Sequence, residues 1–213
     1  MTDVDHELDR QLRVLLEHKV PLAAGLDDEV VEHAVEPLRQ RATGTPTASR
    51  VPFVLVVTAP DDAAAMAAAE QQVPLLRLAG RAAPGVLDRN HGEQGLAGYR
   101  PIPQVGPPPA QVYALLDVAR GEEFCGVRPQ EVLPVVLGRG RTPLTIPEGI
   151  ALVLLHPQVL EKNRCFMLSG SRRGDRRVPA LWISGRAPKL GWCWDGNPHT
   201  WLGVASTGTR IGA

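Results

Sequence analysis

Residues 165–206 read CFMLSGSRRGDRRVPALWISGRAPKLGWCWDGNPHTWLGVAS, and this stretch decides the fold class. Cys165–Ser171, Val178–Ser184, Leu190–Trp194 and Thr200–Ser206 are short apolar or alternating runs, the pattern of strands. The segments between them, Arg172–Arg177, Gly185–Lys189 and Asp195–Pro198, have hairpin length. Four strands joined this way predict an antiparallel meander.

Upstream the signals alternate between helix and strand. Thr145-Ile-Pro-Glu148 combines an N-cap Thr, a Pro in the first turn and a Glu at the capping-box position, so it opens a buried helix through Leu155. Pro129–Leu137 reads as a short helix, and Asp61 or Asp62 caps another through Gln72. Val112–Val118 is a strand. Val51–Val57, apolar on both faces, reads as a central one. Between them, residues 80–110 hold six Gly and six Pro, a long irregular segment of the kind that is functional or mobile.

Residues 3–20 place Val4, Leu8, Leu12, Leu15 and Leu16 on one helical stripe. A second helix starts at Asp27, buries Val30, Val31, Ala34 and Leu38, and is kinked or ended by Pro37. Residues 41–50 look like a linker. The expectation is an α+β fold with a mixed or antiparallel sheet of about six strands, a C-terminal four-strand meander, helices packed on one side and an N-terminal helical pair. Residues 1–45 form a helical arm, packed on the body or on a second copy of the chain, and residues 46–213 a single α+β domain.

Composition narrows the functional classes. The 44% of apolar and 22% of charged residues argue against disorder. A formal net charge of +0 provides no global field for nucleic acid or an acidic membrane, so neither is expected as a partner. Lys occurs only at Lys19, Lys162 and Lys189, and every other basic residue is Arg, which reads as codon bias and weakens arguments from Arg counts. Cys125, Cys165 and Cys193 are too few and too scattered for a disulfide framework or a thiolate metal site. The acidic N-terminus lacks the core of a signal peptide, and the longest apolar run, Ile150–Leu155, is too short to span a bilayer. The expected setting is the reducing cytoplasm. The six His show no ligand spacing, and no metal or cofactor is expected.

The residues that could carry chemistry cluster near the C-terminus. With Asp195–Pro198 as a four-residue turn, Trp194 pairs with His199 and Trp192 with Trp201, which puts all four on one face. That face is either a wall on which a flat ligand stacks or a core face covered by the helix at 146–155. Cys193 points the other way, against a Cys/His/Asp catalytic set. The loop carrying Arg172, Arg173, Arg176 and Arg177 suits an anionic group, since guanidinium matches phosphate and carboxylate forks; the plain alternative is a solvated turn. Arg141, beside the helix start at Thr145, could add to such a site.

Three stretches, Gly140–Ala151 (GRTPLTIPEGIA), Ser171–Trp182 (SRRGDRRVPALW) and Leu190–Gly203 (LGWCWDGNPHTWLG), resemble an actinobacterial family of cytoplasmic domains of unknown function. The resemblance extends weakly from Val51, leaves the helical arm unmatched, and implies no catalytic residue. The functional expectation is therefore a site for an anionic, partly flat small molecule, nucleotide-like or a sugar phosphate. Arg172, Arg173, Arg176, Arg177 and Arg141 would hold the anion, Trp192, Trp194 and Trp201 would stack, Asn197 would hydrogen-bond, and His199 and Asp195 would be the acid/base pair if there is catalysis. The alternative is a non-catalytic interaction module or homodimer. Sequence leaves enzyme activity undecided.

Overall fold

The computed structural model describes residues 3–42 and 50–212. Helices α1 (Asp3–Glu17), α2 (Val20–Ala23) and α3 (Asp28–Arg39) precede strand β1 (Arg50–Val57) and helix α4 (Asp62–Gln72). The short strands β2 (Val86–Leu87) and β3 (Arg100–Pro101) lie within the Gly/Pro segment, followed by β4 (Val112–Ala119), α5 (Pro129–Gly138), β5 (Thr142–Pro143) and α6 (Ile146–Leu155). The C-terminal part contributes β6 (Cys165–Met167), β7 (Ser171–Arg172), β8 (Arg177–Ser184), β9 (Ala187–Trp194), β10 (Leu202–Val204), β11 (Ser206–Thr207) and β12 (Thr209–Gly212). The fold is α+β with N-terminal helices, as expected. Most of the expected linker, residues 43–49, lies outside the described residues.

Local signals hold where they are strong. Asp61 caps α4, its carboxylate accepting from Ala64 N–H at 2.9 Å. Glu148 accepts from Thr145 N–H at 2.7 Å in the expected capping box, and α6 from Gly149 to Leu155 is buried throughout. It packs against β1, α4 and α1. On α3, Val31, Val35 and Leu38 are buried, whereas Val30 is exposed, one position off the expected stripe.

Instead of one sheet of about six strands there are two five-stranded sheets. The first has the order β1-β4-β11-β5, with β12 also on β4; the second has the order β10-β6-β8-β9-β2. One segment serves both: residues 202–204 pair with β6, and beyond Ala205 the chain joins β4. The sheets meet closely there, because a Cβ on Gly203 would run into the backbone carbonyls of Gly121 and Arg120.

The fourth meander strand is a correction. β6, β8 and β9 are antiparallel neighbours as expected, but β10 runs parallel to β6 on the far edge, with Leu202 opposite Cys165. The edge of β9 is taken by β2, Val86 opposite Lys189. Residues 195–201 lead away instead, held by Gln130 N–H to Asp195 C=O at 3.2 Å and Gly126 N–H to His199 C=O at 2.8 Å.

β1 is an edge strand rather than a central one. Its apolar character reflects cover by α1 and α6. The open edge is closed by a side chain: Gln11 donates to Phe53 C=O at 3.1 Å and accepts from Leu55 N–H at 2.8 Å. Gln11 is fully buried, and its amide substitutes for a neighbouring strand. The N-terminal helices thus share the core with the body: Leu8, Leu15, Val31 and Leu38 belong to the same buried cluster as Phe53 and Leu115.

Candidate functional site

The Gly/Pro segment is pinned onto the Arg-rich hairpin. β2 pairs with β9, and β3 with β7 (Arg100 opposite Arg172). Asp88 N–H donates to Leu190 C=O at 2.8 Å, and the Asp88 carboxylate caps the tight turn Arg89–His91 through Asn90 N–H at 2.8 Å. Trp192 Nε1–H donates to Asn90 C=O at 3.1 Å. These ties carry His91 and Tyr99 inward, to 3% and 0% exposure, beneath the arginines.

Six aromatic and charged groups form two stacks of three. The Arg173 guanidinium carbon lies 5.3 Å from the Tyr99 ring centre, and the Tyr99 and His91 rings meet edge-on at 6.0 Å. Arg177 lies over Trp192 at 4.6 Å, and Trp192 meets Trp194 edge-on at 4.9 Å. Asp175 Oδ2 sits between the two guanidiniums, 3.7 Å from Arg173 Nε and 3.6 Å from Arg177 Nε. Arg173 Nη2 also donates to Gln94 Oε1 at 2.6 Å, and Arg172 Nη2 to Asp195 Oδ1 at 3.1 Å.

Six buried polar atoms in this cluster complete no hydrogen bond among the described residues: Arg172 Nη1, Arg173 Nη1, Arg177 Nε, Tyr99 Oη and both ring nitrogens of His91. The Gly191 carbonyl acts on the His91 ring without good hydrogen-bond geometry. Burial, with the Arg173 and Arg177 charges adding to it against Asp88, pushes His91 down to about 4, so it is neutral at pH 7. Burial pushes the Tyr99 phenol up to about 12, against the Arg173 guanidinium, which acts on its oxygen without good hydrogen-bond geometry. Two neutral hydrogen-bonding groups therefore lie beneath three guanidiniums that Asp175 and Asp195 offset. A cluster of this kind can bind an oxyanion.

The expected residues divide. Arg172, Arg173, Arg177 and Trp192 come together, Asp195 holds Arg172, and Trp194 stands at the rim, 46% exposed. Arg176 is exposed, its Nη2 2.6 Å from where a Cβ on Gly196 would sit. Asn197 is exposed, with its backbone N–H on Trp194 C=O at 3.0 Å.

His199 and Trp201 do not share the Trp192 face, which corrects the expected register. Trp182 pairs with Lys189 across β8 and β9, and positions 189 and 192 point to opposite faces. His199 stacks edge-on against Trp201 at 5.7 Å, and Trp201 against Trp182 at 6.2 Å, so these three form a separate group behind the sheet. Nor are the Trp192 and Trp194 rings a covered core face: Trp192 is half-buried and Trp194 is exposed. Arg141 is committed elsewhere, donating to Asp117 and to Ser206. Cys193 packs its Sγ 3.4 Å from Met167 Sδ, and burial pushes the thiol up to about 12, far from a nucleophilic thiolate.

His91, Tyr99, Asn90 and Gln94 escape sequence reasoning. The available signal was a His and one of two tyrosines inside a Gly/Pro segment too long for a plain connection.

No curated protein and no solved structure matches the chain. One family model does, over residues 14–213, which takes in all three quoted motifs and also the helical region from within α1 onward. The chain accordingly belongs to DUF5701, a family of unknown function.

Proposed function

We propose that the protein binds an anionic small molecule at the cluster between the Arg-rich hairpin and residues 86–101. A phosphate- or carboxylate-type group is held by Arg172, Arg173 and Arg177 over Tyr99 and His91, and a flat part of the molecule lies against Trp194 at the rim. The observation that carries this reading is the set of buried N–H and O–H groups that complete no hydrogen bond among the described residues. Each such group costs about 1–3 kcal/mol, and more when charged, unless a ligand supplies the missing bonds. Because His199 lies behind the sheet, the reading is one of binding, with Asp195 as the residue that positions Arg172. The three cysteines are free, which supports a reducing, cytoplasmic setting.

Thermal shift and calorimetry against inorganic phosphate, nucleotides and sugar phosphates test the proposal. Ligand at about 100 times Kd stabilises the fold by about 2.7 kcal/mol. Arg173→Ala removes a charged hydrogen bond of about 1.5–3 kcal/mol and weakens binding about 10- to 100-fold. Trp194→Ala weakens only ligands with a flat moiety. An inert panel, or a shift that Arg173→Ala leaves intact, would overturn the reading.

A further inference from the structure

A cavity chemically different from the anion cluster lies at the opposite sheet, where α1 crosses the edge of β1. Its volume is about 540 Å³, within the range of small-molecule pockets. Among the described residues, four separate parts of the chain line it: the first turns of α1 through Val4 and Glu7, the start of β1 through Val51 and Phe53, the end of β4, and the end of α6 with the turn that follows. The β1–β4 ladder is interrupted at the same place. Pro52 has no N–H to give, Asp117 adopts φ 54°, and pairing passes from Val51–Val118 to Phe53–Leu116 with a step missing.

The floor is apolar, formed by Phe53, Val118, Leu152 and Leu155, all almost fully buried. Every arginine around the cavity is already paired. Arg10 binds Glu7 at 2.6 Å and Leu155 C=O at 2.9 Å, Arg50 binds Asp117 at 2.8 Å, and Arg120 binds Glu122 and Val159 C=O. An anionic ligand would have to break these pairs, and a cationic one would compete with the arginines for the same carboxylates. The deep polar group is His156, 8% exposed, with Nε2 3.3 Å from the Gln11 amide and 3.6 Å from Glu7. Burial lowers it to about 4, against the Glu7 charge and the Phe53 carbonyl, so at pH 7 it is a neutral imidazole with one donor and one acceptor nitrogen. It therefore does not serve as a cation at the α6 C-terminus.

We infer that this cavity binds an uncharged, mainly apolar small molecule whose single polar end hydrogen-bonds at His156 while its body rests on Phe53, Leu152 and Leu155. The site is independent of the anion cluster and shares no residue with it. Its selectivity is opposite: apolar area drives binding, and a charge on the ligand weakens it.

Indole, neutral with one N–H donor, is the probe. Titrated into the full-length ¹⁵N-labelled chain, it should give saturable shifts at the amides of Phe53, His156 and Val159, with Arg173 unmoved. Val4→Trp plugs the cavity from α1 and Val51→Trp plugs it from β1. Either should weaken the shifts at least tenfold while keeping a folded spectrum, and Arg173→Ala should leave them unchanged. Absent saturable shifts, shifts centred on Trp192 and Trp194, or shifts that survive a folded plugging variant would overturn the inference. Should neither variant fold, the map on the native chain decides alone.

Discussion

Tyr99→Phe separates a ligand site from an ordinary polar core. The Tyr99 ring is fully buried, and the Arg173 guanidinium acts on its hydroxyl without good hydrogen-bond geometry, so removing one oxygen changes neither shape nor the stacking of Arg173 on the ring face. A buried hydroxyl without a partner costs about 1–3 kcal/mol. The ligand-free variant should therefore be more stable than the native chain, by about 1–2 kcal/mol after partial relaxation. At about 2–4 °C per kcal/mol for a chain of this size, the melting point rises by about 2–8 °C. Anion binding moves the other way, since the phenol no longer donates to the ligand, and affinity falls about tenfold. Urea unfolding and scanning calorimetry in phosphate-free buffer, followed by titration of the best ligand, measure both effects. A ligand-free variant less stable than the native chain would refute the reasoning, because it would mean that the hydroxyl has a structural partner. The coupling of higher stability to weaker binding is the signature of a site held open at the expense of the fold.

Three further outcomes follow from the geometry. Gln11→Leu leaves Phe53 C=O and Leu55 N–H buried and unpaired, so urea unfolding should show a loss of about 2–6 kcal/mol, and exchange protection of the Leu55 amide should collapse. His91 and His156 are held near 4 in the fold and return to about 6.5 when it unfolds, so the unfolded chain takes up more protons between those values. Stability is complete above about pH 6.5 and falls as pH drops toward 4, by up to about 3 kcal/mol per imidazole; His91→Phe should flatten the slope, and equal urea midpoints at pH 7 and 4.5 would contradict it. Gly203→Ala forces a Cβ against the carbonyls of Gly121 and Arg120, backbone on backbone, and should cost about 3 kcal/mol or abolish soluble expression.

Capping and alternation were legible because both are local. The Thr145–Glu148 box and the Asp61 cap are written within four residues, and β8 and β9 announce themselves by composition and a short turn. The proximity of the Arg-rich loop to Trp192 was legible for the same reason, since a hairpin brings its own ends together. The distribution of the four tryptophans was not. It depended on treating residues 195–198 as one more hairpin turn, whereas contacts to Gly126 and Gln130, roughly seventy residues upstream, draw that segment away.

The sequence by itself determined the α+β class, the position of the buried helix at 146–155, and the concentration of guanidinium and indole groups in one hairpin, because periodicity and capping act over a few neighbouring bonds. Tertiary structure alone decided which edge receives residues 202–204, that a glutamine closes the β1 edge, and that His91 and Tyr99 lie beneath the arginines. Those outcomes are choices among distant partners of similar local fit, and two-residue strands such as β2 and β3 hold their places through packing that no stretch of sequence spells out.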